Sequence, residues 1–430
     1  MEKQYYGHFN QTIYHEQLAN GLSVQLMPMA GFNKTYAILT TDFGEIDNRF
    51  IPQGSTEPIT LPAGVAHFLE HKMFEKADHD AFDLFGRWGA DANAFTGYTR
   101  TSYLFSTSSY LKENLGILLD FVFDPYFTDK TVEKEKGIIG QEIRMYDDDP
   151  DWQLYMGMLA NLYPHDPMRL DIAGTVDSIQ QITPDDLWAA YNTFYQPSNM
   201  NLFIVGRLEP ERTLEWVKED LAKKNLKLTP EPHSLFKLND PSGGDVKSFS
   251  QTKLPVSRPK MAIGIRGLEH FKTGHERLRY KLTVDLLLDV LFDDTSDNFL
   301  RLYNAGILDD SFSYSLDMQR GFYFAGVASD TDQQQKFADE MMEILNSADS
   351  QIEAGRSRFT AIKRAELGRL IGLLDSPEEV ANRYAGRLFG GANLLDEISV
   401  LRSITIDDLA DCAHSLVKPQ AMTVFEINKR

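Results

Sequence analysis

A single cysteine, Cys412, is all that the 430 residues hold. No intrachain disulfide can form, and no thiolate cluster can bind a metal, so any metal must rest on histidine and carboxylate. Long apolar runs are missing as well. Nothing approaches the roughly 20 residues needed to span a bilayer, and the most apolar stretch, 115–127, is interrupted by Asp120 and Asp124. The opening residues Met1-Glu2-Lys3-Gln4-Tyr5 lack a basic start followed by an apolar segment, so no signal peptide is read there and a cytoplasmic location is expected. Positive charge is scarce too: Lys and Arg number 43 against 63 Asp and Glu, a formal net charge of -20. That balance argues against nucleic acid or an anionic membrane as partner, since both require clustered cations.

What is present is an ordinary globular composition, 42% hydrophobic and 25% charged, in a chain too long for one ordinary core. The chain repeats itself. Ile182-Thr183-Pro184-Asp185-Asp186-Leu187 recurs as Ile404-Thr405-Ile406-Asp407-Asp408-Leu409. At the same offset and without a gap, Pro197 matches Pro419, and Asn201-Leu202-Phe203-Ile204-Val205 matches Thr423-Val424-Phe425-Glu426-Ile427. Each half reads as strands at 22–27 and 35–41 or their counterparts, a buried helix, a further strand (102–106 in the first half), a helix near 110–123, more helices and a closing strand. Strands alternating irregularly with helices predict an α+β fold of two homologous lobes. Residues 223–251, rich in Lys, Pro, Ser, Gly and Asp, form the expected linker between a first lobe at 1–222 and a second at 252–430.

The stretch His67-Phe68-Leu69-Glu70-His71 reads H-x-x-E-H. On a helix these three polar side chains share one face. Val65, Ala66, Phe68, Leu69, Met73 and Phe74 make the 63–74 helix apolar nearly all round, so that face should be buried. Two imidazoles one turn apart can grip a zinc ion, and the carboxylate between them can take the proton of an attacking water. The alternative is a hydrogen-bonded core histidine pair with a salt-bridged glutamate. A catalytic zinc needs a third protein ligand. In a helix expected over 128–146, Glu135 and Glu142 fall on the stripe of Val132, Ile138, Ile139 and Tyr146, with Glu133, Lys136 and Arg144 opposite. Two carboxylates on a buried face need a cation. One would bind metal and the other support it, and spacing alone does not say which.

These motifs resemble the pitrilysin or insulinase-type zinc peptidases, the inverzincins, and more narrowly the half-length bacterial relatives of mitochondrial processing peptidase. Gly64-Val65-Ala66-His67-Phe68-Leu69-Glu70-His71, followed by Phe74, matches the family's signature helix. Glu135 and Glu142 match its downstream glutamate pair, and Asn93-Ala94-Phe95-Thr96 matches its active-site edge strand. The resemblance covers nearly the whole chain. It implies one Zn2+ per chain on His67, His71 and Glu142, with Glu135 in support. Glu70 would act as general base on water and then pass the proton to the leaving amine. An extended, unfolded peptide would pair with Asn93, Ala94, Phe95 and Thr96 through its main chain. The rival expectation is a non-catalytic peptide-binding or scaffold subunit on the same fold.

The second half lacks H-x-x-E-H. Its matching helix is expected at 280–292, where Asp285, Leu288 and Asp289 stand near the corresponding places, so a structural lobe is expected. Relatives supply an Arg and a Tyr, seven apart, from this lobe to hold substrate. Here Arg301 is followed seven positions on by Leu308, and Tyr314 lies too far along to complete the pair. Two lobes resemble half an enzyme, which implies a dimer, and the missing pattern suggests a related subunit that carries the Arg and Tyr, with a homodimer as the alternative. His8, His15, His79, His233, His270, His275 and His414 read as surface or loop residues, and His165 as part of a turn.

Overall fold

The computed structural model describes residues 1–7, 9–224, 226–232, 234–384 and 390–430. His8 and His233 lie outside the described residues. The first half of the sequence forms strands β1 (Glu2–Tyr6), β2 (Gln11–Gln17), β3 (Ser23–Pro28), β4 (Thr35–Thr41), the short pair β5 (Arg49–Phe50) and β6 (Ile59–Thr60), β7 (Asp91–Thr96), β8 (Thr101–Thr107) and β9 (Met200–Gly206). Its helices are α1 (Val65–Phe74), α2 (Ala81–Arg87), α3 (Leu111–Phe123), α4 (Asp129–Asp147), α5 (Pro150–Leu162), α6 (Val176–Gln180), α7 (Pro184–Phe194) and α8 (Pro210–Lys223). The second half forms β10 (Phe249–Leu254), β11 (Lys260–Arg266), β12 (Ser313–Gln319), β13 (Phe322–Asp330) and β14 (Met422–Lys429). Its helices are α9 (Gly274–Phe292), α10 (Asp297–Asn304), α11 (Gln334–Asn346), α12 (Ala348–Leu373), α13 (Pro377–Arg383), α14 (Leu394–Ser403) and α15 (Ile406–Leu416).

The fold is α+β, as the element pattern predicts. One sheet runs β1-β2-β3-β9-β4-β8-β7 and another runs β10-β14-β11-β13-β12. The last five strands of the first sheet repeat the order of the second. In both, the first of these pairings is parallel, β3 with β9 and β10 with β14, and the others are antiparallel. The sequence repeat sits on matching elements. Thr183 and Thr405 each open an eleven-residue helix through a capping box with the Asp three residues on. A 3-10 turn at Pro197–Asn199 or Pro419–Ala421 follows, and then the closing strand.

Two compact units result: Met1–Ile143, Asp171–Phe236 and Leu373–Ala385 in one, Arg144–Leu170, Lys237–Gly372 and Gly386–Arg430 in the other. The main crossing lies inside the Pro- and Gly-rich linker, but each unit also takes a helical segment from the other half of the sequence. The reason is the two-faced sheet. In the first unit Ala37, Leu39, Leu202 and Ile204 face the large core under α1 and α3. Tyr36 and Phe203 alternate to the other face. There Tyr36 donates to Asn382 Oδ1 at 3.2 Å, and the Phe203 ring stacks on Tyr384 at 4.1 Å, so α13 and Tyr384 cover that face. In the second unit α5 packs on β11 and β14 in the same manner. Among the described residues no helix is long and apolar enough to cross a membrane.

Helix α1 is mounted tightly. Gly64 caps it with φ 89°, and a Cβ there would stand 2.4 Å from the Ala173 carbonyl oxygen. Only glycine serves both the left-handed turn and the close approach. Phe68, Leu69 and Met73 are fully buried, each contributing roughly 1.5–3 kcal/mol, which offsets the cost of carrying Glu70 and Lys72 inside.

Candidate metal centre

Helix α1 brings His67 and His71 together on one face, their rings 4.6 Å apart. Helix α4 brings Glu142 across to them. His67 Nε2 lies 3.6 Å from one Glu142 oxygen, and His71 Nε2 lies 3.6 Å from the other. One donor atom from each of the three falls within 4.8 Å of the other two, and this is the one such group of three or more among the described residues. A separation of 3.6 Å is too long for a normal hydrogen bond. It is close to the roughly 3.3 Å that separates ligands on a tetrahedral ion bound at 2.0–2.1 Å. Two imidazoles and a carboxylate are also the donor set zinc takes in catalytic sites, so the residues fit the ion.

Glu135 is buried and holds His71 from the other side, Oε1 to Nδ1 at 3.0 Å. That contact leaves His71 Nε2 aimed toward Glu142 and fixes the ring. The α4 stripe differs in one respect from its expected form. Lys136, expected in solvent, is buried and donates to Glu133 and to the Gln180 carbonyl, while Ile138, expected inside, is 47% exposed. At 100° per residue the buried stripe centres on Val132, Ile139 and Ile143. Lys136 lies within roughly 40° of Val132, and Ile138 roughly 120° away.

Glu70 is buried beside this group, and its Oε2 accepts from the Thr96 hydroxyl at 2.5 Å. Burial pushes its pKa up, with Glu142 adding, against the Thr96 bond and the His71 charge. Burial pulls His67 down to about 3, with His71 contributing, so its imidazole is neutral. For His71 burial acts downward, but the bond to Glu135 and the charges of Glu70, Glu135 and Glu142 outweigh it and the net shift is upward. Glu142 is raised by burial and by Asp171 and Glu135, against the pull of His71. The site is thus crowded with acidic groups and short of cationic side chains.

Strand β7 ends the first sheet, so among the described residues its outer edge has no strand partner. Asn93 and Ala94 line a cavity of about 390 Å3 together with Glu70, His71, Phe74 and Glu135. Thr96 reaches Glu70 directly. Phe95 alternates away, under the Arg100 guanidinium at 5.3 Å. All nine sequence-predicted site residues therefore belong to one unit. Glu45 was not foreseen. It is fully buried, accepts from the Gly64 amide at 3.0 Å, and its carboxyl is held well above the usual range by burial, with the Asp171 and Asp47 charges adding. It fixes the start of α1, and it lies in a buried turn where no periodic pattern could reveal it.

In the second unit Arg301 is on α10, half-exposed and paired with Glu340 at 2.6 Å. Tyr314, on β12, donates to Asp289 Oδ1 at 2.9 Å. Asp285 pairs with Lys281 at 2.7 Å. Of the other histidines, His15 meets Ser23, His79 meets Asp78 and His414 meets Asp349.

Residues 50–176 match the family described as Insulinase (Peptidase family M16), and residues 181–364 match its companion, the Peptidase M16 inactive domain. The chain is 43% identical over 422 residues, 98% of each sequence, to the "Uncharacterized zinc protease YmfH" of Bacillus subtilis (strain 168). The crystal structure of an M16-like peptidase from Alicyclobacillus acidocaldarius superposes with a TM-score of 0.89 at 31% identity, over 98% of this chain and 99% of that one. The periplasmic protease PqqL from Escherichia coli shares the fold at TM-score 0.72 and 19% identity, over 100% of this chain but 48% of that one.

Proposed function

The chain belongs to the insulinase family of peptidases, M16, and from that premise we propose that it is a zinc-dependent endopeptidase acting on unfolded peptides. The observation that carries the reading is the convergence of His67, His71 and Glu142 within 4.8 Å, with Glu70 alongside and a free strand edge opening on the same cavity. His67, His71 and Glu142 would hold the ion, and Glu135 would keep the His71 ring in its orientation. The ion, when bound, supplies Lewis acidity to water and to the scissile carbonyl. The chain's residues do the rest. A peptide pairs main chain to main chain along β7, which presents its carbonyl to the cavity. Glu70 takes a proton from water on its carboxylate and returns it to the leaving amine. Its raised pKa brings the group nearer the operating pH, which favours both transfers.

The chain matches one half of the PqqL chain, which supports a working unit of two such chains. A related subunit would bring the substrate-holding Arg and Tyr that Arg301 and Tyr314, both engaged within their own unit, do not form here. The test is a quenched-fluorescent peptide digest by the chain purified from its host together with whatever subunit accompanies it. Cleavage should vanish on chelation and return with one equivalent of zinc, and light scattering on the same sample should read a dimer. Zinc bound without any cleavage would favour the peptide-binding or scaffold reading. A monomer that cleaves would remove the pairing.

A further inference from the structure

Strand β7 does more than offer an edge. Its alternation turns Ala92, Ala94 and Thr96 toward the core side, where Ala92 and Ala94 pack on the cluster beneath α1. Thr96 is the last of these, at the mouth of the β7–β8 hairpin. Its hydroxyl has one proton and two acceptor pairs. Its neighbour Thr101 Oγ1, at 3.3 Å, donates its own proton to the Phe43 carbonyl at 2.9 Å. The Thr96 proton is therefore committed to Glu70 Oε2 at 2.5 Å, a charge-assisted bond of the short, strong kind. The hairpin that carries it is fixed. The Gly97 carbonyl accepts from the Glu45 amide at 3.2 Å and the Tyr98 carbonyl from Ile46 at 3.0 Å. A Cβ on Gly44 would stand 2.4 Å from the Thr99 amide nitrogen.

We infer that Thr96 is a positioning residue whose hydroxyl fixes the rotation of the Glu70 carboxylate. It holds Oε2 so that the second oxygen is left to meet water, and it ties the general base to the strand that carries the substrate. This rests on the endopeptidase reading above. Because one residue serves as the end of the docking edge and as the clamp on the base, a peptide seated on β7 is set in register with Glu70 before reaction begins. The hydroxyl contributes to turnover, while the backbone of the same residue contributes to binding.

The experiment measures kcat, KM and zinc content for wild type, Thr96→Val and Thr96→Ser on one peptide. Valine keeps the branched shape and the strand preference and removes only the donor. Expected is a fall in kcat of roughly 10–100-fold for T96V, with KM within about 2-fold and zinc unchanged, and recovery by T96S to within about 3-fold. An unchanged kcat in T96V, a loss carried by KM or by zinc content, or a T96S as poor as T96V would each overturn the inference. A melting curve on each variant separates misfolding from chemistry, and T96S keeps the test alive if T96V does not fold. A wild-type protein that binds zinc and cuts nothing would defeat the endopeptidase reading itself, and this inference with it.

Discussion

Glu70→Gln abolishes peptide cleavage while leaving the metal in place: this is the largest effect the account predicts. The amide cannot take a proton from water, so the loss in kcat should reach roughly 10^3–10^4-fold, toward the upper end of what a general base contributes. Yet Gln can still accept from the Thr96 hydroxyl through its carbonyl oxygen, so the local packing is kept. None of the three converging ligand atoms belongs to Glu70, so zinc content by elemental analysis should match wild type. The pairing of these two readouts matters. Lost activity with lost zinc would make Glu70 a ligand or a structural prop, and full activity would sink its role as base.

The second large effect separates the two glutamates of α4. Glu142→Ala removes a carboxylate whose two oxygens each lie 3.6 Å from one of the imidazoles. Glu135→Ala removes a partner of His71 Nδ1. Loss of a supporting partner costs about 10–100-fold in metal affinity. Loss of one of three protein ligands should exceed about 100-fold, the upper end of that range. Competition against a chelator of known affinity ranks them, and a Glu135 variant that binds zinc more weakly than the Glu142 variant would reverse the assignment. Folding is not expected to confuse the result. Burial and acidic neighbours push the Glu142 carboxyl up, against the pull of His71. A raised acid costs the folded state stability once pH passes the unfolded value, so E142A without metal should melt no lower than wild type near neutral pH.

Much of this site was legible in the sequence because its geometry is helical. Residues three and four apart must share a face, so His67, Glu70 and His71 could be placed together before any coordinates, and Glu135 and Glu142, two turns apart, likewise. The duplication was legible because capping Thr, turn Pro and closing strand recur at one offset, and these fix topology locally. Other features depend on tertiary closeness that no period encodes. Lys136 is buried because the Gln180 carbonyl and Glu133 meet its amine, which a stripe drawn from apolar residues cannot foresee. Glu45 reaches the start of α1 from a turn. The Thr96 hydroxyl meets Glu70 across a strand and a helix, and the motif around Asn93 suggested only main-chain pairing. The placing of α5 and α13 on the sheet of the other half is a matter of which apolar face each finds uncovered, and sequence order is silent on that.

The most direct test of the central claim is a crystal of the zinc-loaded protein measured across the zinc absorption edge. The account predicts one anomalous peak per chain, roughly 2.0–2.2 Å from Nε2 of His67, Nε2 of His71 and a carboxylate oxygen of Glu142. An active, zinc-dependent protein whose anomalous peak lies elsewhere, or on Glu135 in place of Glu142, would contradict it.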